Sequence, residues 1–143
     1  MTIKTMLASD ALDPLDLNCA EKILYAANEA YGLGLDPRAL RLAAGFGGGL
    51  GCGLICGALS GGAMALSCLF VRQRAHESGR IKALCGELAA RLQAQLGAAD
   101  CAALKPRYHR PDAGCKTVIL AAAGILDEII ERENMGSHQE EAE

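Results

Sequence analysis

The stretch AAGFGGGLGCGLICGALSGGAMALSCLFV, Ala43–Val71, decides how this chain folds. Its 29 positions carry no charge, a length that could cross a bilayer as a helix. Nine of them are glycine: Gly45, Gly47, Gly48, Gly49, Gly51, Gly53, Gly57, Gly61 and Gly62. So flexible a backbone is costly as lipid-exposed helix. The stretch therefore reads as a glycine-rich turn leading into a buried central helix, from near Leu54 to about Gln73, with a membrane span as the minor alternative. Gly57, Gly61 and Ala65 recur every four positions and form a smooth stripe on that helix. Such a stripe lets another helix backbone approach closely.

Outward from it, the rest of the chain is punctuated as helices. Asn18 followed by Glu21 is an N-cap with its reciprocal partner, opening a helix through Ala30, and Asp13-Pro14 could start it one turn earlier. Gly32 and Gly34 end it. Asp36 then caps a second helix with Pro37 in its first turn, whose apolar face is Leu40, Ala43 and Ala44 before Gly45 breaks it. Beyond the central helix, Ile81, Leu84, Leu88, Leu92 and Leu96 share one side of another, with Gly97 as its stop. Asp100 caps a short turn, and 106–111 reads as a loop with proline at both ends. A final helix from about Gly114 to Arg132 turns Val118, Ala122, Ile125, Ile129 and Ile130 inward.

No segment alternates as a strand. The expectation is an all-α, compact bundle of five to six helices with a buried Gly-rich central helix. Residues 1–133 form its single domain, and 134–143 form a disordered acidic C-terminal tail. Composition agrees: 51% of the 143 residues are hydrophobic but only 3% aromatic, and there is no Trp. A core of Ala, Leu, Ile and Gly suits closely packed helices better than a β-sandwich. The net charge is −3 with scattered basic residues, so no concentrated basic face offers itself to nucleic acid.

Seven cysteines among 143 residues are too few for a secreted disulfide scaffold and many for a cytosolic enzyme. Their number is odd, which forbids complete internal pairing. Residues 1–13 hold no apolar run followed by a small-residue cleavage site, so a reducing cytoplasm is the expected compartment. In such a compartment multiple cysteines point to metal binding or redox work. The segment Gly51-Cys52-Gly53-Leu54-Ile55-Cys56-Gly57 delivers Cys56 to the first turn of a helix. Unpaired amides and the helix dipole there favour a thiolate, which is both nucleophile and metal ligand. Gly53 and Gly57 leave room for a cofactor or partner thiol against the backbone. The competing reading makes Cys56 a small buried hydrophobe. Cys52 lies four residues before Cys56 and shares its face only if the helix starts early enough.

The chain resembles a family of redox-active proteins marked by a Cys, a CGAxxG motif, a Cys and a Cys, the C_GCAxxG_C_C family. The matching pieces are Leu17-Asn18-Cys19-Ala20-Glu21, Gly45-Phe46-Gly47-Gly48-Gly49, Cys56-Gly57-Ala58-Leu59-Ser60-Gly61, Asp100-Cys101 and Gly114-Cys115, spread over roughly 17–131. The resemblance implies that Cys19, Cys56, Cys101 and Cys115 carry redox chemistry. Cys52, Cys68 and Cys85 lie outside the pattern. Four thiolates could hold zinc or an iron–sulfur cluster, and two pairs could instead cycle between dithiol and disulfide. These two readings stand level. A purely structural zinc ranks behind them because local CxxC pairs are absent.

Partners would be a redox protein or a small thiol, with a homo-oligomer as a further form. A non-enzymatic helical module with structural cysteines, whose glycine stripe takes up a partner helix or a small hydrophobic ligand, is the alternative function. Split-Soret cytochromes bear a looser resemblance to this family, but no Cys-x-x-Cys-His occurs, so covalent c-type haem is not expected. The glycine run contains neither GxGxxG nor GKS/GKT, which argues against a nucleotide cradle. Cys68 and Cys85 are expected in the core, His109 as a solvated loop residue, and Asp127 and Glu128 on the solvated face of the last helix.

Overall fold

The computed structural model describes residues 1–142, with side chains described through 136. Among these residues the chain forms seven α-helices: α1 Ile3–Ala8, α2 Cys19–Tyr31, α3 Pro37–Leu40, α4 Gly57–Phe70, α5 Arg80–Leu96, α6 Cys101–Tyr108 and α7 Lys116–Ala142. The all-helical class holds, and the expected five or six helices become seven. The additional ones are short. α1 is a six-residue helix at the start of the chain, where no apolar periodicity is long enough to announce it. The expected tail at 134–143 lies largely on 137–143, whose side chains, like the backbone of residue 143, lie outside the described residues.

α2 and α4 pack most intimately, and the small-residue stripe is the reason. A Cβ on Gly61 would stand 2.5 Å from the Ala20 carbonyl oxygen and 3.1 Å from Ile23 Cβ. One on Gly57 would meet the Phe46 carbonyl oxygen at 3.0 Å and Cys19 Cβ at 3.4 Å. The stripe is thus covered by α2 of the same chain and is no free face for a partner helix. Ala65 and Leu66 continue the buried side of α4. α5 brings Leu84, Leu88, Leu92 and Leu96 to the core, and α7 brings Val118, Ala122, Ile125, Leu126, Ile129 and Ile130. Burying each Leu or Ile of this set contributes about 1.5–3 kcal/mol.

The glycine run divides in two. Only Gly57, Gly61 and Gly62 lie in α4, so the helix is shorter at both ends than the expected span from Leu54 to Gln73. Ahead of it, Arg41–Phe46 is a tight 3₁₀ turn that carries on through Gly45, leaving Ala44 exposed. Then Gly49–Gly53 forms a wide, kinked turn with positive φ at Gly49, Leu50, Gly51 and Gly53. Gly49 is obligatory there, since a Cβ would stand 2.5 Å from the Leu54 amide nitrogen. No helix among the described residues is long and apolar enough to cross a membrane.

Two local features differ from expectation. Pro106 sits inside α6 instead of opening a loop. Its missing amide would have met the carbonyl of Ala102, and Ala102 is exposed, so water can satisfy that oxygen. Asp127 is buried at 6% exposure rather than solvated. Its carboxylate accepts the amides of Ile3 and Lys4, both at 2.9 Å, and the Tyr31 hydroxyl at 2.7 Å. It caps α1 from the last helix and ties in the end of α2. Glu128 is exposed and pairs with Arg91.

Candidate functional site

Each of the four pattern cysteines stands at the N-terminus of a different helix. Cys19 opens α2, where Asn18 caps by accepting the Glu21 amide at 3.0 Å while Glu21 reaches back to the Asn18 amide at 3.1 Å. Cys56 is the N-cap residue of α4. Cys101 opens α6 behind Asp100, whose carboxylate accepts the Ala103 amide at 3.1 Å. Cys115 stands just before α7, its carbonyl accepting the Ile119 amide at 2.9 Å.

The fold brings these four starts together by three contacts. The α2–α4 packing sets Cys19 Cβ beside Gly57, the neighbour of Cys56. A short antiparallel bridge joins Ile55 to Asp100: the Cys56 amide donates to the Ala99 carbonyl at 2.9 Å, and the Cys101 amide to the Leu54 carbonyl at 2.7 Å. A closed turn of reciprocal Arg110 and Gly114 backbone hydrogen bonds, at 2.9 and 2.7 Å, delivers Cys115. All seven cysteines of the chain are free thiols.

Every pairing among the four is close enough for charge on one sulfur to oppose ionisation of another. Cys19 and Cys115 are the most tightly engaged. Burial first, then the neighbouring sulfurs of Cys115, Cys56 and Cys101, push Cys19 up to about 12, and its hydrogen bond to Cys115 holds its proton further. Burial also raises Cys115, but there the Cys19 thiol favours the thiolate, as do the charges of Lys105 and Lys22.

Cys56 fits the competing expectation, a small buried group, better than that of a favoured thiolate. Burial raises it, although the amides of Ala58 and Leu59 pull the other way, facing the sulfur without a capping bond of normal geometry. The helix terminus does act on this thiol. At 5% exposure, loss of water outweighs it.

As ligands for one ion the four are not assembled: among the described residues no three Cys, His, Asp or Glu side chains are grouped to hold a metal. Gly57, expected to leave room for a cofactor, has that space filled by Phe46, Ala20 and Cys19. Cys52 and Gly53 instead line an open groove of about 600 Å³ with Cys101, Lys105, Pro106 and His109. The kink over Gly49–Gly53 keeps Cys52 exposed while Cys56 is buried, so the two share no helical face. Cys68 is exposed, not in the core, because it lies on the outer side of α4 near its end, and Cys85 is half-buried.

Sequence reasoning missed Lys22 and Lys105 as neighbours of Cys115, since neither is near it along the chain. It also missed Asp127. That residue follows Ala123 by four and precedes Ile130 by three, which is the inward spacing of α7.

A family model described as "Putative redox-active protein (C_GCAxxG_C_C)" matches residues 17–129. In this chain the central motif reads Cys56-Gly57-Ala58-Leu59-Ser60-Gly61, with the cysteine ahead of the glycine. No curated protein and no solved structure matches the chain.

Proposed function

The chain belongs to that family of redox-active proteins, and from this premise we propose that it exchanges dithiols for disulfides, with Cys19 and Cys115 as the reacting pair. The single observation that carries the reading is the convergence of four helix starts, each bearing a pattern cysteine, into one mutually coupled group. Cys115 is the attacking thiol: burial and then Cys101 raise it, but the Cys19 thiol, Lys105 and Lys22 oppose that rise, whereas nothing among the described residues offsets the rise of Cys19. It attacks one sulfur of an oxidised partner disulfide and releases the other half as a thiolate. Cys19 then gives up its proton and attacks the Cys115 sulfur. The second half of the partner leaves, so one disulfide forms in the protein as two thiols form in the partner. Cys56 and Cys101, diagonal to each other across the Ile55–Asp100 bridge and near enough for charge on one to oppose ionisation of the other, are the second pair to which the disulfide can pass.

The partner is a redox protein or a small thiol. The cytoplasm is the compartment proposed, since reducing conditions keep the seven thiols available. An iron–sulfur cluster or another thiolate-bound metal is the second reading. It draws on the same four sulfurs, but among the described residues no three Cys, His, Asp or Glu side chains are grouped to hold a metal, whereas exchange needs only two sulfurs at a time. The dithiol reading is therefore better supported.

Mild oxidation of anaerobically purified protein, followed by peptide mass mapping, tests the proposal. The expected result is a linked peptide joining Cys19 to Cys115, reversible by reductant. Oxidation confined to exposed Cys52 and Cys68 would overturn it, and stoichiometric iron or zinc by elemental analysis would favour the metal reading.

A further inference from the structure

Cys52 lies outside the family pattern, yet the fold gives it a setting of its own. It is exposed on the kinked glycine turn and shares a groove of about 600 Å³ with Cys101. That groove is the size of a small-molecule site. Lys105 and His109 stand on its α6 side with Pro106 between them, while Gly48, Gly51 and Gly53 keep the facing wall low. Lys105 is the permanent cation among the described residues that line the groove; Arg107 and Arg110 follow it in sequence but lie outside that lining. Among the described residues no carboxylate lines the groove, and Asp100, next to Cys101, is engaged on the Ala103 amide. Cys101 belongs to both places: it lines this groove and is electrostatically coupled to Cys19, Cys56 and Cys115.

We propose that this groove is the docking site for a small disulfide bearing carboxylates, and that Cys52 is the thiol through which its oxidising equivalents enter the cluster. The inference rests on the dithiol reading above and names the class of its substrate. Cys52 attacks one sulfur of the small disulfide; the disulfide bond breaks, a mixed disulfide forms on Cys52, and the first small thiol leaves as a thiolate that takes a proton from water. Cys101 then attacks the Cys52 sulfur and expels the second small thiol. One disulfide has been reduced to two thiols, and the Cys52–Cys101 bond holds the oxidation. Cys56, diagonal to Cys101 across the Ile55–Asp100 bridge, next attacks the Cys101 sulfur and frees Cys52 for another cycle.

The test uses the full, reduced chain with two probes, anionic oxidised glutathione and cationic cystamine, and maps modified peptides after acid quenching. With oxidised glutathione, Cys52 is expected to react about tenfold faster than Cys68, the other exposed thiol, because only Cys52 has the cationic groove. Lys105→Glu should slow that reaction about threefold and leave cystamine unslowed. Cys101→Ser should trap the mixed disulfide on Cys52, which in the unaltered chain gives way to a Cys52–Cys101 linked peptide. Equal rates at Cys52 and Cys68, or the same effect of Lys105→Glu on both probes, would overturn the proposal. A parallel oxidation with diamide separates the two claims. If diamide links Cys19 to Cys115 while oxidised glutathione ignores Cys52, the groove inference fails alone. If Cys52 accepts glutathione while Cys19 and Cys115 never link, the dithiol reading of the cluster fails.

Discussion

At the scale of single residues, the thiols pit a local effect against a global one. A helix N-terminus lowers a thiol's proton affinity and burial raises it, and at Cys19, Cys56 and Cys115 burial is the larger cause. This has a consequence for stability in alkali. Below the ordinary thiol value of 9.0, Cys19 binds its proton in both the folded and the unfolded chain, and pH has no effect through it. Above that value the unfolded chain loses the proton and the folded chain keeps it, until about pH 12. Folding stability therefore falls across this window, by at most about 4 kcal/mol from this residue. Urea melts at pH 8 and pH 11 should show a smaller alkaline loss for Cys19→Ala than for the unaltered chain. Equal losses would mean that Cys19 is not the group responsible. The same protonation predicts that disulfide exchange by the inner cluster speeds up past pH 9 instead of levelling near neutrality.

At the scale of elements, the contact between α2 and α4 sets the distance between the first two thiols, and it depends on Gly61. A methyl group there would stand 2.5 Å from the Ala20 carbonyl oxygen, which is backbone and cannot rotate away. Gly61→Ala is expected to cost about 3 kcal/mol and to reduce the yield of the Cys19–Cys115 link. Gly86, on the exposed side of α5 with nothing within 4 Å of its would-be Cβ, provides the contrast. Gly86→Ala should stabilise by about 0.5–1 kcal/mol through helix propensity alone. Denaturant melts of the two variants read both effects, and a neutral Gly61→Ala would refute the close approach. The stripe itself was legible in the spacing of Gly57, Gly61 and Ala65. What fills it was not, because a groove of small residues accepts any helix of suitable shape.

At the scale of the whole molecule, Asp127 joins the beginning of the chain to its end. It is a buried carboxylate accepting from Ile3, Lys4 and Tyr31. The Tyr31 hydroxyl is raised well above its ordinary value, by burial first and then by this hydrogen bond, and so stays a donor. Removing the carboxylate leaves three donors without an acceptor, so Asp127→Ala is expected to destabilise by about 3 kcal/mol, while Asp127→Asn, which keeps one acceptor, loses less. Thermal melts decide it. A change within about 0.5 kcal/mol for the alanine variant would show that the tie contributes nothing. On a helical wheel the inward spacing of Asp127 was visible beforehand. Its charge made a solvated position the natural reading, and only the donors arriving from α1 and α2 reverse that.

What the amino-acid order determined unaided is whatever a few neighbouring residues decide among themselves. Asn18 and Glu21 cap α2, Gly97 with φ +87 stops α5, Asp100 caps α6, and the helical character of the chain follows. These rest on hydrogen bonds and dihedral preferences spanning four residues or fewer. Tertiary structure alone decided which helix occupies the stripe on α4, how four helix starts meet, that Cys52 faces solvent beside Cys101 while Cys56 does not, and which way burial shifts each thiol. Those outcomes depend on desolvation and contact between segments tens of residues apart, and no local spacing carries that information.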